Sequence, residues 1–423
     1  MKWKGAILFC AGLALASTGC SQSSKKETTS LEQEAQLKEK SVAARQFTEG
    51  NIGFLEANDT VYWYDGTTCL LNYLDESDMS WHVLCGKANC AHTVENGENN
   101  IGHTSDCDAF IERMYYSPLG YYDGRIYYVE GVPTLSDRWL SSVKADGTDH
   151  KRETEIGYEQ GADSIQYYFH YGRLYVLHSF SNKKSTVSIY SLDDKEETKA
   201  AFDEYVGGLY MGDEFIYYYQ NPVDDFSNTT LRRMTLDGAM TDYEVKSSSS
   251  SIGVYFADDA IYHFLPEKGL FKTDYETGED TVLWNGMSDY DAPAYYLFCD
   301  GQYIYLRASG EGLYSQEDQH TLLVFDMAGN LIRDIDIVNT EEAKTKLKET
   351  LDATEDKELK AQYQNFYRHI TADGTSSGYD AFYGSIKGYV FSGNYAMPNQ
   401  YMTVSDLTSK DATPEWKDTI FAN

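Results

Sequence analysis

The sequence predicts an all-β chain: a seven-bladed β-propeller of four-stranded blades, with six or eight blades as alternatives, carrying a small helical insertion. Three observations predict it. Tyrosine is abundant, at 37 of 423 residues, and proline is scarce, at 7. Tyrosine favours strands, where its ring packs and its hydroxyl stays near water. A two-part phrase recurs seven times. Through the middle of the chain the copies lie 42 to 48 residues apart, the length of a four-stranded blade.

The first part of the phrase is a turn pair followed by Ile or Val beside Tyr. Its copies centre on Val61-Tyr62-Trp63, Ile126-Tyr127-Tyr128, Leu174-Tyr175-Val176, Ile216-Tyr217-Tyr218, Ile261-Tyr262-His263, Tyr303-Ile304-Tyr305 and Tyr389-Val390-Phe391. Asp123-Gly124 and Asp300-Gly301, ahead of two of them, suit a tight hairpin that needs positive φ. The second part is an apolar strand ending in Asp: Tyr73-Leu74-Asp75, Val143 to Gly147, Ile189 to Asp193, Met234 to Gly238, Phe271 to Asp274, Leu323 to Asp326 and Met402 to Asp406. The two parts alternate strictly. Each pair marks a small sheet that cannot cover both its faces alone, and radial stacking hides them. Two smaller propellers or a pair of β-sandwiches are the other arrangements.

The intervals from Val61 to Ile126 and from Ile304 to Val390 are longer and mark insertions. In the second, residues 339–370 predict helix. Asn339 with Glu342 resembles a capping box. Ala343, Leu347 and Leu351, then Leu359, Tyr363, Phe366 and Ile370, fall at helical spacing. The stripe reads as packing on the rim, or as a lid or partner-binding arm. Ring closure falls to Phe47–Leu55 or to Trp416–Phe421.

These phrases resemble those of tyrosine-rich β-propeller lipoproteins of unknown function from Gram-positive anaerobes. They are more loosely similar to YWTD and TolB-type propellers, Val61-Tyr62-Trp63-Tyr64-Asp65 being the nearest echo of YWTD. The resemblance covers residues 50–423 and implies architecture, not activity.

The N-terminus reads as a lipoprotein signal peptide over residues 1–19. Lys2 and Lys4 precede an apolar run from Ala6 to Ala16, too short to span a bilayer. Ser17-Thr18-Gly19-Cys20 resembles a lipobox, with Ser17 where Leu is preferred. The resemblance makes Cys20 the lipidated first residue of the mature chain, and hence implies a membrane partner and an extracytoplasmic location. An ordinary secretory signal with a chance cysteine is the alternative. Residues 20–49 read as the lipidated cysteine and a solvated tether, rich in Ser, Lys, Glu and Thr and poor in aromatics. The propeller takes residues 50–423.

The formal charge is −32. Nucleic acid is therefore excluded as a partner, because its binding rests on Lys and Arg neutralising phosphates. Asp-rich turns such as Asp224-Asp225 and Asp258-Asp259 lack EF-hand spacing and read as solvated.

The insertion at 85–107 holds Cys85, Cys90, His92 and Cys107, the ligand types of a structural Cys₃His zinc site. In an extended strand His92 would point to the same side as Cys90. The pattern resembles a Cys-x₄-Cys-x-His…Cys signature of the same propeller lipoproteins. Zinc or a similar metal, disulfides pairing Cys85 with Cys90 and Cys107 with Cys69, and plain buried thiols are the readings of the set. His82 and His103 are substitute ligands. Cys69 and Cys299 sit in strand contexts and read as core.

The nucleophile-elbow, P-loop, zinc-protease and sialidase motifs are missing. The expected function is a non-catalytic cell-surface binding or scaffold module for a glycan, peptide or envelope protein. Trp139, Tyr158, Tyr168, Trp284, Tyr290 and Tyr314 are the candidate loop aromatics. The alternative is a glycosidase or lyase using propeller-mouth carboxylates.

Overall fold

In the computed structural model the described residues are 34–44, 54–95, 104–131, 138–221, 229–336 and 381–422, apart from loop positions inside these stretches, together with 348, 349, 351–353 and 360. Seven four-stranded antiparallel sheets follow one another along the chain, over 54–83, 120–155, 164–201, 205–247, 252–284, 294–336 and 381–418. Within each sheet the strands lie in sequence order, here a to d. Strands a of successive sheets touch around the ring, so a is innermost and d outermost. The protein is a seven-bladed β-propeller.

The first phrase forms strand b in every blade, and the second forms strand c in blades 1 to 6; in blade 7 only Met402 and Thr403 belong to strand c, and the rest lies in a short helix, Val404–Thr408. Strand b is wedged between two neighbouring blades, which buries both of its faces. Four consecutive residues of Arg125–Glu130 and six of Arg173–Ser179 are buried. The apolar run is therefore continuous rather than alternating, as in any sheet covered on both sides. Its tyrosines keep partners for their hydroxyls: Tyr175 donates to the Leu236 carbonyl of the next blade at 2.6 Å, and Tyr305 to Asp300 Oδ2 at 2.8 Å. Strands d of blades 2 and 3, Lys151–Glu155 and Glu197–Ala201, are polar and largely exposed, whereas strand d of blade 1, Ser80–Val83, buries Trp81.

In blades 1, 2, 5 and 6 the terminal Asp of the second phrase caps the turn from c to d. Asp146 Oδ1 accepts from Thr148 N–H at 3.0 Å, and Asp326 Oδ1 from Ala328 and Asn330 N–H at 3.0 and 2.9 Å. The glycine of that turn faces the preceding blade. A Cβ on Gly147 (φ +78°) would lie 2.8 Å from the Leu84 carbonyl oxygen, and one on Gly329 (φ +83°) 2.5 Å from Leu283 Cβ. The Asp-to-Gly phrase thus both turns the chain and lets consecutive blades close against each other.

The four antiparallel strands of blade 1 come from the N-terminal side of the chain and those of blade 7 from the C-terminal side. The C-terminal segment closes the ring. Lys417–Asp418 is strand d of blade 7, and Ile420–Ala422 then pairs in parallel with strand d of blade 1, Ser80–Val83. Phe54, Val61, Trp63 and Trp81 of blade 1 pack with Ile386 and Phe391 of blade 7. Lys387 N–H donates to Glu56 Oε2 at 3.0 Å, and its ammonium reaches Glu76.

Two expectations need correction or restriction. The tether boundary at residue 49 is too late. Residues 34–39 are helical, and Glu34 to Ala44 lie on the propeller as a strap across the a–b turns of blades 2, 3 and 4. Composition missed this because the strap buries one apolar side chain fully, Leu37 at 6% exposure, and is otherwise held by ion pairs and backbone hydrogen bonds. Most of the 339–370 insertion lies outside the described residues. Those described (348, 349, 351–353 and 360) are helical, with Leu351 buried.

Candidate functional site

Between blades 1 and 2 the d-to-a connection runs from Leu84 to Leu119, whereas between blades 3 and 4 it is only Phe202 to Glu204. Its ends are fixed to the ring. Leu84 N–H donates to Leu71 O at 2.8 Å and Gly86 N–H to Gly147 O of blade 2 at 3.2 Å. Ile111 N–H donates to Cys69 O at 2.9 Å, and Tyr64 Oη to Ile111 O at 3.0 Å. Glu95 and Thr104 exchange backbone hydrogen bonds at 2.8 and 3.0 Å and so close a loop.

This folding brings together the four residues that the sequence singled out. The ligand atoms of Cys85, Cys90, His92 and Cys107 all lie within 4.8 Å of one another. His92 Nδ1 is 3.4 Å from Cys107 Sγ. Cys107 is buried and the other three are half-buried. His92 does not reach the cluster along an extended strand. Its φ is +52°, and Asn89, just before Cys90, has φ +60°. Two left-handed turns bend the chain back toward the sulfurs, a conformation uncommon for side-chain-bearing residues.

The surroundings bias the thiols unequally. Burial raises the Cys85 pKa, but the backbone N–H groups of Lys87 and Asp108 and the neighbouring thiols of Cys107 and Cys90 outweigh it, and the net shift is downward. Lys87 pairs with Asp108 at 2.9 Å beside it. Burial pushes the Cys107 thiol up despite the Ala109 N–H. Burial also lowers the His92 pKa, which favours the neutral ring that ligates metals. Cys69, Cys85, Cys90, Cys107 and Cys299 are all free thiols, so neither expected disulfide is formed. Cys69 stands outside the cluster, next to Tyr64, and Cys299 is buried core, as expected.

A cluster of three thiols and an imidazole at these separations can hold a metal ion. For tetrahedral zinc at ordinary bond lengths the sulfur-to-nitrogen edge is about 3.5 Å, close to the observed 3.4 Å. Hydroxyl and carboxylate groups are not needed, and His82 lies elsewhere. It stacks on Tyr73 in blade 1 and groups with Asp75 and Asp78, whose carboxylates cap their own turn at Ser77 and Ser80. His103, Tyr290, Tyr314 and the Asp224-Asp225 and Asp258-Asp259 pairs lie outside the described residues.

Of the loop aromatics, Trp139 opens strand c of blade 2, with Arg152 over its ring at 5.6 Å. Trp284 packs against Phe325 at 5.0 Å. Tyr168 lies in strand a of blade 3, and its hydroxyl accepts from Leu209 N–H at 3.2 Å. Tyr158 is exposed in a d-to-a connection, over Arg138 at 4.8 Å. Three of these four are thus blade packing.

Neither a protein-family model nor a curated protein matches the sequence. Solved structures do. The chain is similar to a structure from a study of two prolyl endopeptidases (TM-score 0.46, 11% identity), over 94% of this chain and 54% of that one. It is similar to the computationally designed Ika8 protein (TM-score 0.41, 10% identity, 84% and 96% covered). It is also similar to the β-propeller domain of the Trilobed protease from Pyrococcus furiosus (TM-score 0.40, 11% identity, 91% and 97% covered).

Proposed function

We propose that this chain is a lipid-anchored extracytoplasmic protein whose propeller is a rigid binding and scaffold module for a glycan, peptide or envelope protein. In it, Cys85, Cys90, His92 and Cys107 hold a structural zinc ion. The observation that carries the reading is the convergence of those four ligands in a long connection between blades 1 and 2. Three thiolates and an imidazole suit zinc, and four protein ligands fill its tetrahedral shell. Such an ion shapes the connection and leaves no position for a reacting water. It gives the ring a fixed protruding loop, and recognition commonly sits on loops held by a rigid scaffold. The anchor rests on Lys2, Lys4, the apolar run to Ala16 and Cys20. Among the described residues no helix is long and apolar enough to cross a membrane.

The experiment is purification of the full chain from membranes, with metal content measured by mass spectrometry and the preparation then screened on glycan and peptide arrays. One zinc per chain, lost in Cys85→Ser and Cys107→Ser, and saturable binding without turnover are expected. Metal-free protein would overturn the zinc centre. Cleavage of a polysaccharide would replace the binding module with the carboxylate-dependent enzyme. A membrane-extracted chain whose first residue is not a lipid-modified Cys20 would overturn the anchor.

A further inference from the structure

We infer that the strap fixes how the propeller sits on the membrane: the a–b turns of blades 2 to 4 face the lipid headgroups, and the b–c turns face away. The inference rests on the anchoring of Cys20 proposed above.

The strap is a built contact. Glu34 takes two hydrogen bonds from Arg173, Leu37 enters the core between blades 2 and 3, and Lys38 donates to the Asp213 carbonyl of blade 4 at 2.6 Å. The Lys40 carbonyl accepts from Asp123 N–H at 2.8 Å and the Val42 carbonyl from Tyr171 N–H at 3.3 Å. Ala44 N–H donates to His170 Nδ1 at 3.0 Å, while His170 Nε2 donates to the Gly212 carbonyl at 3.0 Å. All these partners sit at the a–b turns of three successive blades or beside them, so the strap cannot swing while it is docked.

Chain direction then sets the geometry. Strands a and c run one way and b and d the other, so a–b and c–d turns share one face, and b–c turns and d-to-a connections share the opposite one. The Cys/His insertion is a d-to-a connection tied both to Cys69 at the b–c turn of blade 1 and, at its start, to Gly147 in the c–d turn of blade 2, so it spans the rim between the two faces. The strap leaves the first face at Glu34. From Cys20 to Glu34 the chain can reach no further than about 50 Å, the limit set by its covalent length. A body from a chain whose full sequence carries −32 gains nothing from anionic headgroups, so this short leash, and not surface attraction, orients it. Lys38 and Lys40 lie on the membrane-side face, and Lys40 is 3.5 Å from Asp123, which offsets carboxylate charge there.

The test supplies the anchor chemically, so that it does not depend on lipidation in the cell. The full mature chain, starting at Cys20, is joined to a diacyl lipid thioester by ligation selective for an N-terminal cysteine. It is then placed on neutral vesicles whose headgroups carry a fluorescence quencher. A fluorescent amino acid is introduced at Glu214, in the a–b turn of blade 4, or at Ser181, in the b–c turn of blade 3, both exposed. Quenching at Glu214 at least threefold stronger than at Ser181 is expected, with the difference reduced by Leu37→Asp. Equal quenching, or stronger quenching at Ser181, would overturn the orientation. Failure of the cellular anchor appears separately, as an unlipidated Cys20 in chain extracted from membranes.

Discussion

Arg173 and Glu34 are joined by two hydrogen bonds, Nη1 to Oε1 at 3.0 Å and Nη2 to Oε2 at 2.6 Å, across 139 residues of sequence. The pair is only partly exposed, Arg173 at 11% and Glu34 at 28% of side-chain area. A two-pronged, sheltered pair of this kind exceeds an ordinary surface ion pair in strength. Beside it, Leu37 fills a site against Tyr122 and Gly172. Removing a buried leucine side chain costs about 2 kcal/mol or more, which is at least ~10-fold in an opening equilibrium. Leu37→Ala should therefore raise amide exchange across residues 34–44 by at least about tenfold, while the unfolding midpoint of the blades barely moves. Exchange measured by mass spectrometry checks this. Unchanged exchange would mean that the strap is held without Leu37.

The metal cluster makes a local prediction. If an ion ties Cys85, Cys90, His92 and Cys107, chelation frees the Leu84–Leu119 connection from the seam of blades 1 and 2 but leaves blades 4 to 6 closed. Chelator should then raise exchange in 84–119 and lower the thermal midpoint by several degrees. Cys69→Ala, outside the cluster, should keep the metal and lose only core packing. Loss of metal in that variant would move the centre to Cys69.

The ring was largely legible in the sequence because its most constrained strands are its most patterned. Strands b and c are buried, and burial demands Ile, Val, Leu and Tyr in runs such as Leu174-Tyr175-Val176-Leu177. The c–d turn demands Asp and Gly for the reasons seen at Asp146-Gly147. Strands d were not legible: Lys-Arg-Glu-Thr-Glu at 151–155 carries no apolar period, and only its neighbour makes it a strand. The four ligands were readable as residue types, but the left-handed turn at His92 was not, because φ there is set by the site and not by the local sequence. The strap was missed for the same reason that its ion pair is informative: the partners of Glu34, Lys38 and Ala44 lie far away in the sequence.

Two glycines in the same backbone region separate turn strain from inter-blade contact. Gly301 has φ +84° with nothing within 4 Å of where a Cβ would sit, whereas Gly329, at φ +83°, would set its Cβ against Leu283. Both pay the left-handed cost of about 1–2 kcal/mol when changed to Ala. Only Gly329→Ala adds a clash of about 1–3 kcal/mol. Denaturant unfolding should show Gly329→Ala the more destabilising by at least about 1 kcal/mol. Equal losses would mean that blades 5 and 6 separate at no cost.

Acid should weaken the protein through buried histidines. His263 stacks on Phe271 with centroids 4.9 Å apart, and burial lowers its pKa from 6.5 to about 4, with Asp280 raising and Lys268 lowering it slightly. The folded chain therefore favours the neutral ring, while the unfolded chain accepts a proton near pH 6.5. This contribution to stability is complete above about pH 6.5 and is lost as the pH falls toward 4. The difference in pKa bounds it at about 3 kcal/mol. Carboxylates of this acidic chain also titrate in that window, so the comparison is between proteins rather than along one curve. His263→Phe keeps an aromatic ring against Phe271 and removes the titration. Urea unfolding from pH 7 to pH 4.5 should cost the variant about 2 kcal/mol less stability than the wild type. Parallel pH profiles would show that His263 keeps an ordinary pKa in the folded protein.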